Sequence, residues 1–328
     1  MVTVATWNLE NLFSPNAQFG PTTAAEFEEK VRVLAETIHS AGVDVLGAQE
    51  VGDDEAFEAL VSALGAEWVG VLSTHFDRRH SIRVGFASRL PIVESSEYFE
   101  IPTQLRGVPT NDDGAGLESM GRGALRVRIE LGDEPVDLVT AHLKSKLITF
   151  PGSRFSPRDE GERARYTAYA LLRRAAEAAA LRIFANGIVG GNGLTHGVVV
   201  MGDLNDEVEA ATTQILNGPP GSEIGTAGEN QPDRGDAWRL LNLAPLMPAD
   251  KRYSRIFRGR RELIDHIFVS TALRSEVREV TTVTGRSAAG RAVVGGAALP
   301  SITEVPTARK SDPVSDHAMV FARLAPAE

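Results

Sequence analysis

The 328-residue sequence contains no cysteine. This absence excludes disulfides, thiolate zinc sites and a thiol nucleophile, so any metal must bind through oxygen atoms or imidazole nitrogens. Long apolar runs are also missing, and none approaches the ~20 residues that a helix needs to cross a bilayer, so no membrane span is expected. Residues 1–7 indicate a strand, without the basic segment and cleavage site of a secretory leader. We therefore expect a cytoplasmic protein, or a secreted one if a leader has been removed.

Basic residues are fewer than acidic residues. The chain has 34 Lys and Arg residues against 44 Asp and Glu residues, a formal net charge of −10 and a pI near 5.3. Nonspecific adhesion to DNA depends on many cationic contacts to phosphates, so this composition disfavours it, although local basic clusters can override the average. The length fits either one large domain or two ordinary ones and leaves the oligomeric state open.

Hydrophobic periodicity predicts strands mixed with helices in both halves of the chain. Helices are predicted at residues 24–40, 54–64, 162–185 and 207–216. Strands are predicted at residues 2–6, 43–48, 68–72, 83–88, 123–131, 136–142, 198–201, 254–257, 263–269, 279–284 and 318–324. Glycine-rich stretches at 186–197, 217–235 and 285–301 are predicted to be loops. Two such halves favour an α+β fold with two stacked sheets and helices outside them.

Short polar motifs follow several predicted strands. They are Thr6-Trp7-Asn8-Leu9-Glu10-Asn11, Gln49-Glu50, His142, Gly202-Asp203-Leu204-Asn205, Asp265-His266 and Ser315-Asp316-His317. In this order they resemble the endonuclease/exonuclease/phosphatase superfamily, which includes deoxyribonuclease I, abasic-site endonucleases, sphingomyelinases and inositol-phosphate phosphatases. The resemblance covers about residues 3–321 and implies a four-layer αββα sandwich of two mixed β-sheets flanked by helices. Because residues from both ends would form one site, residues 1–328 are expected to be a single domain.

The resemblance implies a divalent metal ion, Mg²⁺ or Mn²⁺. Mg²⁺ prefers oxygen ligands, keeps several waters and is commonly held by one or two carboxylates. Glu50 is the candidate ligand, with Asp316 as the candidate second ligand. Asn8 would orient Glu50 or contact the phosphate.

The same resemblance names the catalytic candidates. His317 is expected to act as a base or as a phosphate-stabilising cation once a carboxylate orients its ring, and Asp265 is the expected carboxylate. Asp203 and Asn205 lie two residues apart and would face the same way on an extended segment. Asp203 would position or deprotonate the attacking water, and Asn205 would donate a hydrogen bond to the phosphate. His142 matches a second family histidine that stabilises the transition state, and the choice of His317 or Asp203 as base stays open.

Local cations indicate where a substrate would bind. Residues 251–261 hold six cations and two aromatic residues. Such a segment can lie along a phosphate backbone and stack on bases. Alternatively, it is an edge hairpin whose charges are solvated. The candidate substrate-binding residues are Arg83, Arg122, Lys144, Lys146, Arg255 and Arg258. The other histidines, His39, His75, His80, His196 and His266, are expected to be surface or packing residues.

The motifs together favour a metal-dependent phosphodiesterase, with a nuclease acting on nucleic acid as the leading hypothesis. A phosphatase or phosphodiesterase acting on small or lipid phosphate esters, of the inositol phosphate or sphingomyelin type, is the alternative within enzymes. A noncatalytic binding module on the same scaffold is a third hypothesis. It is disfavoured because such a module has no chemical need for so many of the polar residues.

Overall fold

The computed structural model describes the chain except residues 77–80, 132–133, 153, 219–220, 230, 287–291, 294–298, 300, 303–308 and 326–328. The helices are α1 (Ala24–Ala41), α2 (Asp54–Leu64), α3 (Glu160–Val189), α4 (Ala211–Gln214) and α5 (Thr271–Arg274). The strands are β1 (Val2–Leu12), β2 (Val45–Val51), β3 (Val69–Leu72), β4 (Arg83–Ser88), β5 (Ile92–Glu100), β6 (Ser119–Leu131), β7 (Glu134–His142), β8 (Val198–Asp203), β9 (Leu240–Asn242), β10 (Arg255–Phe257), β11 (Arg260–Glu262), β12 (Asp265–Ser270), β13 (Val277–Thr282), β14 (Gly285–Arg286), β15 (Ala292–Val293) and β16 (Val320–Leu324).

Twelve of these strands form two six-stranded sheets. Sheet A has the order β13-β16-β1-β2-β4-β3, and sheet B has the order β5-β6-β7-β8-β12-β9. Each sheet contains one parallel pair, β1 with β2 in sheet A and β7 with β8 in sheet B, and its other neighbours are antiparallel. The remaining strands form two small hairpins, β10-β11 and β14-β15.

The hydrophobic core lies in three layers between four layers of secondary structure. Val45 and Phe86 of sheet A belong to the same buried cluster as Val127 and Val199 of sheet B, so the sheets pack face to face. On the outer face of sheet A, α1 and α2 contribute Leu34 and Leu60 to a second cluster. On the outer face of sheet B, Leu181 of α3 packs in a third cluster with Phe268. The αββα sandwich predicted from the sequence is confirmed.

Local sequence signals set the ends of the long helices. The Thr23 hydroxyl accepts from the Glu26 amide (3.2 Å) and the Glu26 carboxylate accepts from the Thr23 amide (3.0 Å), a capping box that starts α1. Asp159 caps α3 in the same way through the Glu162 amide, and Gly190, with φ of 58°, ends it in the left-handed conformation. No helix in the described part of the chain is long and apolar enough to span a membrane.

Several predicted elements are wrong in extent. The helix predicted at 207–216 is reduced to α4, because the Thr212 hydroxyl bonds the Asp206 carboxylate and the Gln214 amide bonds the Val208 carbonyl. The sequence missed β5, an edge strand whose mostly exposed residues carry little apolar alternation. The loop predicted at 186–197 begins as the last turn of α3, and the one at 285–301 contains β14 and β15, with much of its remainder outside the described residues.

Each half of the chain supplies strands to both sheets. A cut after residue 160 separates β1–β4 from β13 and β16 in sheet A, and β5–β7 from β8, β9 and β12 in sheet B. Fragments 1–160 and 161–328 would each expose apolar sheet faces, so we expect neither to unfold cooperatively. Thermal denaturation followed by circular dichroism, with the full chain as control, measures this. A sharp transition in either fragment would contradict a single domain.

Candidate functional site

The predicted site residues meet at one end of the two stacked sheets. The parallel strands β1, β2, β7 and β8 carry Asn8, Glu50, His142 and Asp203 at or near their carboxyl ends. In sheet B the strand register places His142 beside Asp203 and Asp203 beside Asp265, the first residue of the antiparallel β12. These residues lie in or directly beneath a cleft of about 1170 Å³.

The backbone departs from regular strand geometry where β1 and β2 reach the cleft. The pairing of β1 with β2 shifts register after Asn8, and that of β2 with β4 shifts after Ala48. Beyond these points Glu10 and Glu50 have φ angles of 49° and 58°, the left-handed region that such residues rarely adopt. Both side chains line the cleft. Backbone strain of this kind costs about 1–3 kcal/mol per residue and persists only where surrounding contacts hold it.

Asn8 joins the two sheets at the site. Its Nδ2 donates to Glu50 Oε1 (3.1 Å) and to Asp203 Oδ2 (3.0 Å), and its Oδ1 accepts from the Glu10 amide (2.9 Å). Glu50 Oε2 accepts a further hydrogen bond from the Asn11 amide (3.0 Å). Asn8 is 1% exposed, so its amide group is fixed by these bonds. The geometry matches a residue that orients the carboxylates of Glu50 and Asp203.

His317 and Asp265 form a buried pair. His317 Nδ1 lies 2.7 Å from Asp265 Oδ2, and the His317 backbone is held through its carbonyl by Trp7 Nε1 (2.9 Å) and through its amide by the Ser315 hydroxyl (3.0 Å). Burial alone would lower the pKa of His317, but the negative charges of Asp265 and Asp316 outweigh it and raise the pKa to about 10. The imidazole is therefore a positioned cation at neutral pH.

Asp203 lies between this pair and Asn8. Burial and the neighbouring charge of Asp265 raise the pKa of Asp203 to about 7, against the opposing effects of His317 and Asn8. Its Oδ2 lies 3.5 Å from His142 Nε2, and its Oδ1 accepts from the Asn205 amide (2.8 Å). A carboxyl group that titrates near neutral pH can both accept and release a proton during a reaction.

Asn205 lines the cleft beside Asp203, but not through the extended segment that the sequence indicated. Its φ is 55°, a left-handed conformation that asparagine tolerates better than most residues. Its Nδ2 donates to the Leu143 carbonyl (3.0 Å), directly after His142. The turn therefore connects the end of β8 to the segment that follows β7.

Three carboxylates line the cleft and are candidate oxygen ligands for a metal ion. Glu50 and Asp316 line the cleft with Glu10, whose Oε2 accepts from the Asp316 amide (2.8 Å). Burial and the charge of Asp316 raise the pKa of Glu10 to about 8, although Lys30 and Arg309 oppose the shift. Glu10 Oε1 also pairs with Arg309 Nε (2.8 Å), so Glu50 and Asp316 stay the candidate oxygen ligands for a hard divalent cation such as Mg²⁺ or Mn²⁺.

Asp203, Asp265 and His317 also offer three potential ligand atoms within 4.8 Å of one another. In that group His317 Nδ1 is engaged by Asp265 and Asp203 Oδ2 accepts from Asn8. Both oxygens of Glu50 are likewise engaged, by Asn8 and by the Asn11 amide, so hydrogen bonding does not distinguish the two groups as ligand sets. Sequence reasoning did not select Glu10 as a ligand, although Glu10 lies two residues after Asn8, a spacing that places strand residues on the same face.

The predicted substrate-binding cations separate into two groups. Among the described residues, the cleft is lined by Arg122, Lys144 and Arg255 but not by Arg83, Lys146 or Arg258. The Arg83 guanidinium lies 3.4 Å from Asp54, and the Lys146 ammonium lies 3.2 Å from Asp206. Arg258 is exposed and lies over the Phe257 ring, 5.3 Å from its centroid. The structure therefore does not bring Arg83 or Lys146 to the cleft.

The remaining histidines have the structural contacts expected of surface or packing residues. The described contacts join His39 to Trp68, His75 to the Met120 carbonyl, His196 to Asp137 and His266 to the Asp206 carbonyl. His80 lies outside the described residues.

An aromatic wall also lines the cleft, and only one of its members, Phe257, lies in a segment that the sequence indicated for base stacking. It consists of Phe150 and Phe155 from the segment after β7, Tyr166 and Tyr169 from α3, and Phe257 from β10. Tyr166 packs against Phe150 and Tyr169, each with ring centroids 5.4 Å apart, whereas Phe155 is 61% exposed. The spacing of these residues in the sequence carries no signal, because only tertiary packing brings α3 over the loop.

A family model described as the endonuclease/exonuclease/phosphatase family matches residues 5–317. Solved structures similar to this chain include the human Nocturnin catalytic domain with bound sulfate (16% identity, TM-score 0.55, 99% of this chain and 94% of that chain). D. rerio TDP2 complexed with a single-strand DNA product is also similar (14% identity, TM-score 0.55, 99% of this chain and 99% of that chain). A family protein from Bacteroides thetaiotaomicron is similar as well (16% identity, TM-score 0.55, 98% of this chain and 94% of that chain). No curated protein matches the chain in sequence. These structural likenesses concern the fold.

Proposed function

The chain belongs to the endonuclease/exonuclease/phosphatase family, whose members hydrolyse phosphate esters, and we propose that it is a divalent-metal-dependent phosphodiesterase acting on nucleic acid. One observation carries this proposal. The charged His317–Asp265 pair and the Asn8–Glu50–Asp203 network face the same cleft, so a cation at neutral pH lies beside oriented carboxylates. Phosphoryl transfer needs this combination of positioning and charge neutralisation.

The residues divide the chemistry between them. Glu50 and Asp316, with Glu10 beside them, would hold Mg²⁺ or Mn²⁺, which when bound neutralises charge on the phosphate and lowers the pKa of water. Asp203 accepts the proton of the attacking water as the new P–O bond forms. His317 stabilises the phosphate oxygens and gives a proton to the leaving oxygen as the old P–O bond breaks.

Two further residues support these steps. Asn8 holds the Asp203 carboxylate in place through its 3.0 Å hydrogen bond. His142, 3.5 Å from Asp203 through Nε2, supports the same carboxylate from the adjacent strand β7.

The lining of the cleft favours a polynucleotide over a small ester. Phe155, Tyr169 and Phe257 offer aromatic faces beside the reaction centre, and stacking of a base on such a face contributes about 1–3 kcal/mol. The similar TDP2 structure contains a single-strand DNA product, which agrees with this choice.

Activity on four substrates distinguishes the alternatives. The purified protein is offered plasmid DNA, RNA, bis-p-nitrophenyl phosphate and p-nitrophenyl phosphate, each with Mg²⁺ and with EDTA. We expect metal-dependent cleavage of a polynucleotide and of the model diester. Hydrolysis confined to p-nitrophenyl phosphate would contradict the proposal and favour a phosphatase acting on small esters.

The hairpin β10-β11 offers a test of polymer binding. Arg255 is paired with Glu262 (2.8 Å) and lines the cleft, whereas Arg258 and Arg260 are exposed. The double variant Arg258→Gln with Arg260→Gln is expected to reduce polynucleotide cleavage more than hydrolysis of bis-p-nitrophenyl phosphate. It should also flatten the salt dependence, because each lost phosphate contact removes about 0.7–0.9 from the slope of log affinity against log salt.

The control for the hairpin variant is Arg32→Gln with Arg163→Gln. It removes the same charge from exposed positions on α1 and α3, where the arginines pair with local glutamates. Equal losses on the polymer and on the small diester would show that the hairpin supports the neighbouring β12 and does not bind the polymer.

A further inference from the structure

Five cations gather beside the cleft around two carboxylates. Arg122 of β6, Lys144 after β7 and Arg173 of α3 all line the cleft. Glu177 is fully buried and accepts hydrogen bonds from the amides of Gly121 (3.1 Å) and Lys144 (2.6 Å) and from Arg173 Nε (3.0 Å). The neighbouring Arg174 and Lys146 share the second carboxylate, Asp206. Positive charge therefore exceeds negative charge on this wall, in a protein that is acidic overall.

Arg122 lacks the acceptors that a buried guanidinium needs. The residue is 9% exposed, and its Nη1 donates to the Leu143 carbonyl over 3.4 Å. Its Nε has no hydrogen-bond partner among the described residues. A buried charged donor without an acceptor is costly, and an oxyanion in the cleft supplies acceptors for the guanidinium. Arg122 thus points to a bound anion rather than to a structural ion pair.

Lys144 adds charge and shapes the wall. Its Nζ donates to the Ser145 carbonyl (2.9 Å), the Ser145 hydroxyl (3.2 Å) and the Leu147 carbonyl (2.8 Å), so it holds the segment that follows His142. Burial lowers the pKa of Lys144 to about 7, and the charges of Arg122 and Arg173 lower it in the same direction. An anion placed among the three cations relieves this repulsion.

The cations adjoin the reaction centre through Asn205. The Leu143 carbonyl accepts from both Arg122 Nη1 and Asn205 Nδ2, so the guanidinium and the cleft-lining amide meet at one atom. The cations come from β6, α3 and the segment after β7, whereas Asp265 and His317 come from β12 and the segment before β16. A phosphate at the reaction centre therefore leaves the cation wall available for a neighbouring anionic group of the same molecule.

We propose that Arg122 and Arg173, assisted by the charge of Lys144, bind a second phosphate group of the substrate, adjacent to the phosphodiester that is cleaved. This proposal rests on the proposed function and makes it more specific. The enzyme would select nucleotides that carry at least two phosphates over an isolated diester. Arginine suits this role because its planar fork binds phosphate oxygens in pairs.

Three dinucleotides that differ by one phosphate test the inference. The substrates are d(TpT), d(pTpT) with a 5′-phosphate and d(TpTp) with a 3′-phosphate, and cleavage of the internal diester is followed by chromatography. We expect wild-type kcat/KM for one of the two phosphorylated substrates to exceed that for d(TpT) about tenfold or more, mainly through KM. A tenfold difference corresponds to about 1.4 kcal/mol.

Variants of Arg173 locate the preference. Arg173→Gln is expected to reduce the preference to less than about threefold, and Arg173→Lys to retain part of it because Lys binds phosphate as a point charge. The control Arg163→Gln removes an exposed charge from the same helix, where Arg163 pairs with Glu160, and should keep the full preference. Thermal denaturation of each variant verifies folding. The comparison of the three dinucleotides in the wild-type enzyme does not depend on the folding of any variant.

The outcomes separate this inference from the function on which it rests. Equal kcat/KM for all three dinucleotides in the wild-type enzyme would overturn the second phosphate subsite and leave the phosphodiesterase intact. A wild-type preference that survives in Arg173→Gln would overturn the assignment to these cations. Failure to cleave all three dinucleotides, plasmid DNA and RNA would contradict the proposed function itself.

Discussion

Replacing His317 with alanine is expected to reduce kcat/KM for phosphodiester hydrolysis by a factor on the order of 10² to 10⁴, the usual contribution of a positioned acid or base. The variant removes a buried cation whose ring Asp265 holds at 2.7 Å. Steady-state kinetics on bis-p-nitrophenyl phosphate measures the loss. His39→Ala, at an exposed histidine on α1, is the matched control and should retain wild-type kinetics.

Asp265→Asn is expected to cost a factor on the order of 10² or more, because the amide no longer stabilises the charged imidazole. If the two side chains act as a unit, the double variant of Asp265 and His317 should cost little beyond the worse single variant. If the activity losses of the two single variants multiply in the double variant, the two residues act independently. The pair would then not be the acid and its orienting carboxylate.

Glu50→Gln is expected to lower activity by a factor on the order of 10² and to raise the Mg²⁺ concentration needed for half-maximal rate, because carboxylate oxygens bind hard cations better than an amide. The substitution nearly preserves shape, but it places an amide donor where Glu50 accepts from the Asn11 amide or from Asn8. Activity measured against Mg²⁺ concentration tests this expectation. Glu58→Gln, on the exposed face of α2, is the control. An unchanged Mg²⁺ midpoint in Glu50→Gln would contradict the metal assignment.

The sequence predicted the sandwich, and placed many of the residues that line the cleft at strand ends, because strand ends carry a local signal that the family resemblance puts in order. A buried apolar run followed by a polar residue marks where a strand leaves the core, as at Asp203 after β8 and Glu50 near the end of β2. Strand register then brings His142, Asp203 and Asp265 together, since neighbouring strands meet at the same sheet edge. The strand patterns predicted two stacked sheets, and the family resemblance supplied the four-layer sandwich and the roles of the polar residues.

Other features depend on geometry that no short sequence pattern encodes. The left-handed conformations of Glu10 and Glu50 arise where strand pairing shifts, without the glycine that would announce them. Arg83 and Lys146 pair with Asp54 and Asp206, partners that only the fold brings near. The aromatic wall and the buried Glu177 likewise depend on how α3 packs over the segment after β7.

Hydrolysis of bis-p-nitrophenyl phosphate, followed for the wild-type protein and for His317→Ala with Mg²⁺ and with excess EDTA, tests most directly whether one metal-dependent site cleaves phosphodiesters. We predict a rate for the wild-type protein with Mg²⁺ that disappears in EDTA, returns when Mg²⁺ or Mn²⁺ is restored, and is reduced at least about a hundredfold in His317→Ala. Undiminished hydrolysis in excess EDTA, or equal rates for the two proteins, would contradict the proposal that one metal-dependent site cleaves phosphodiesters.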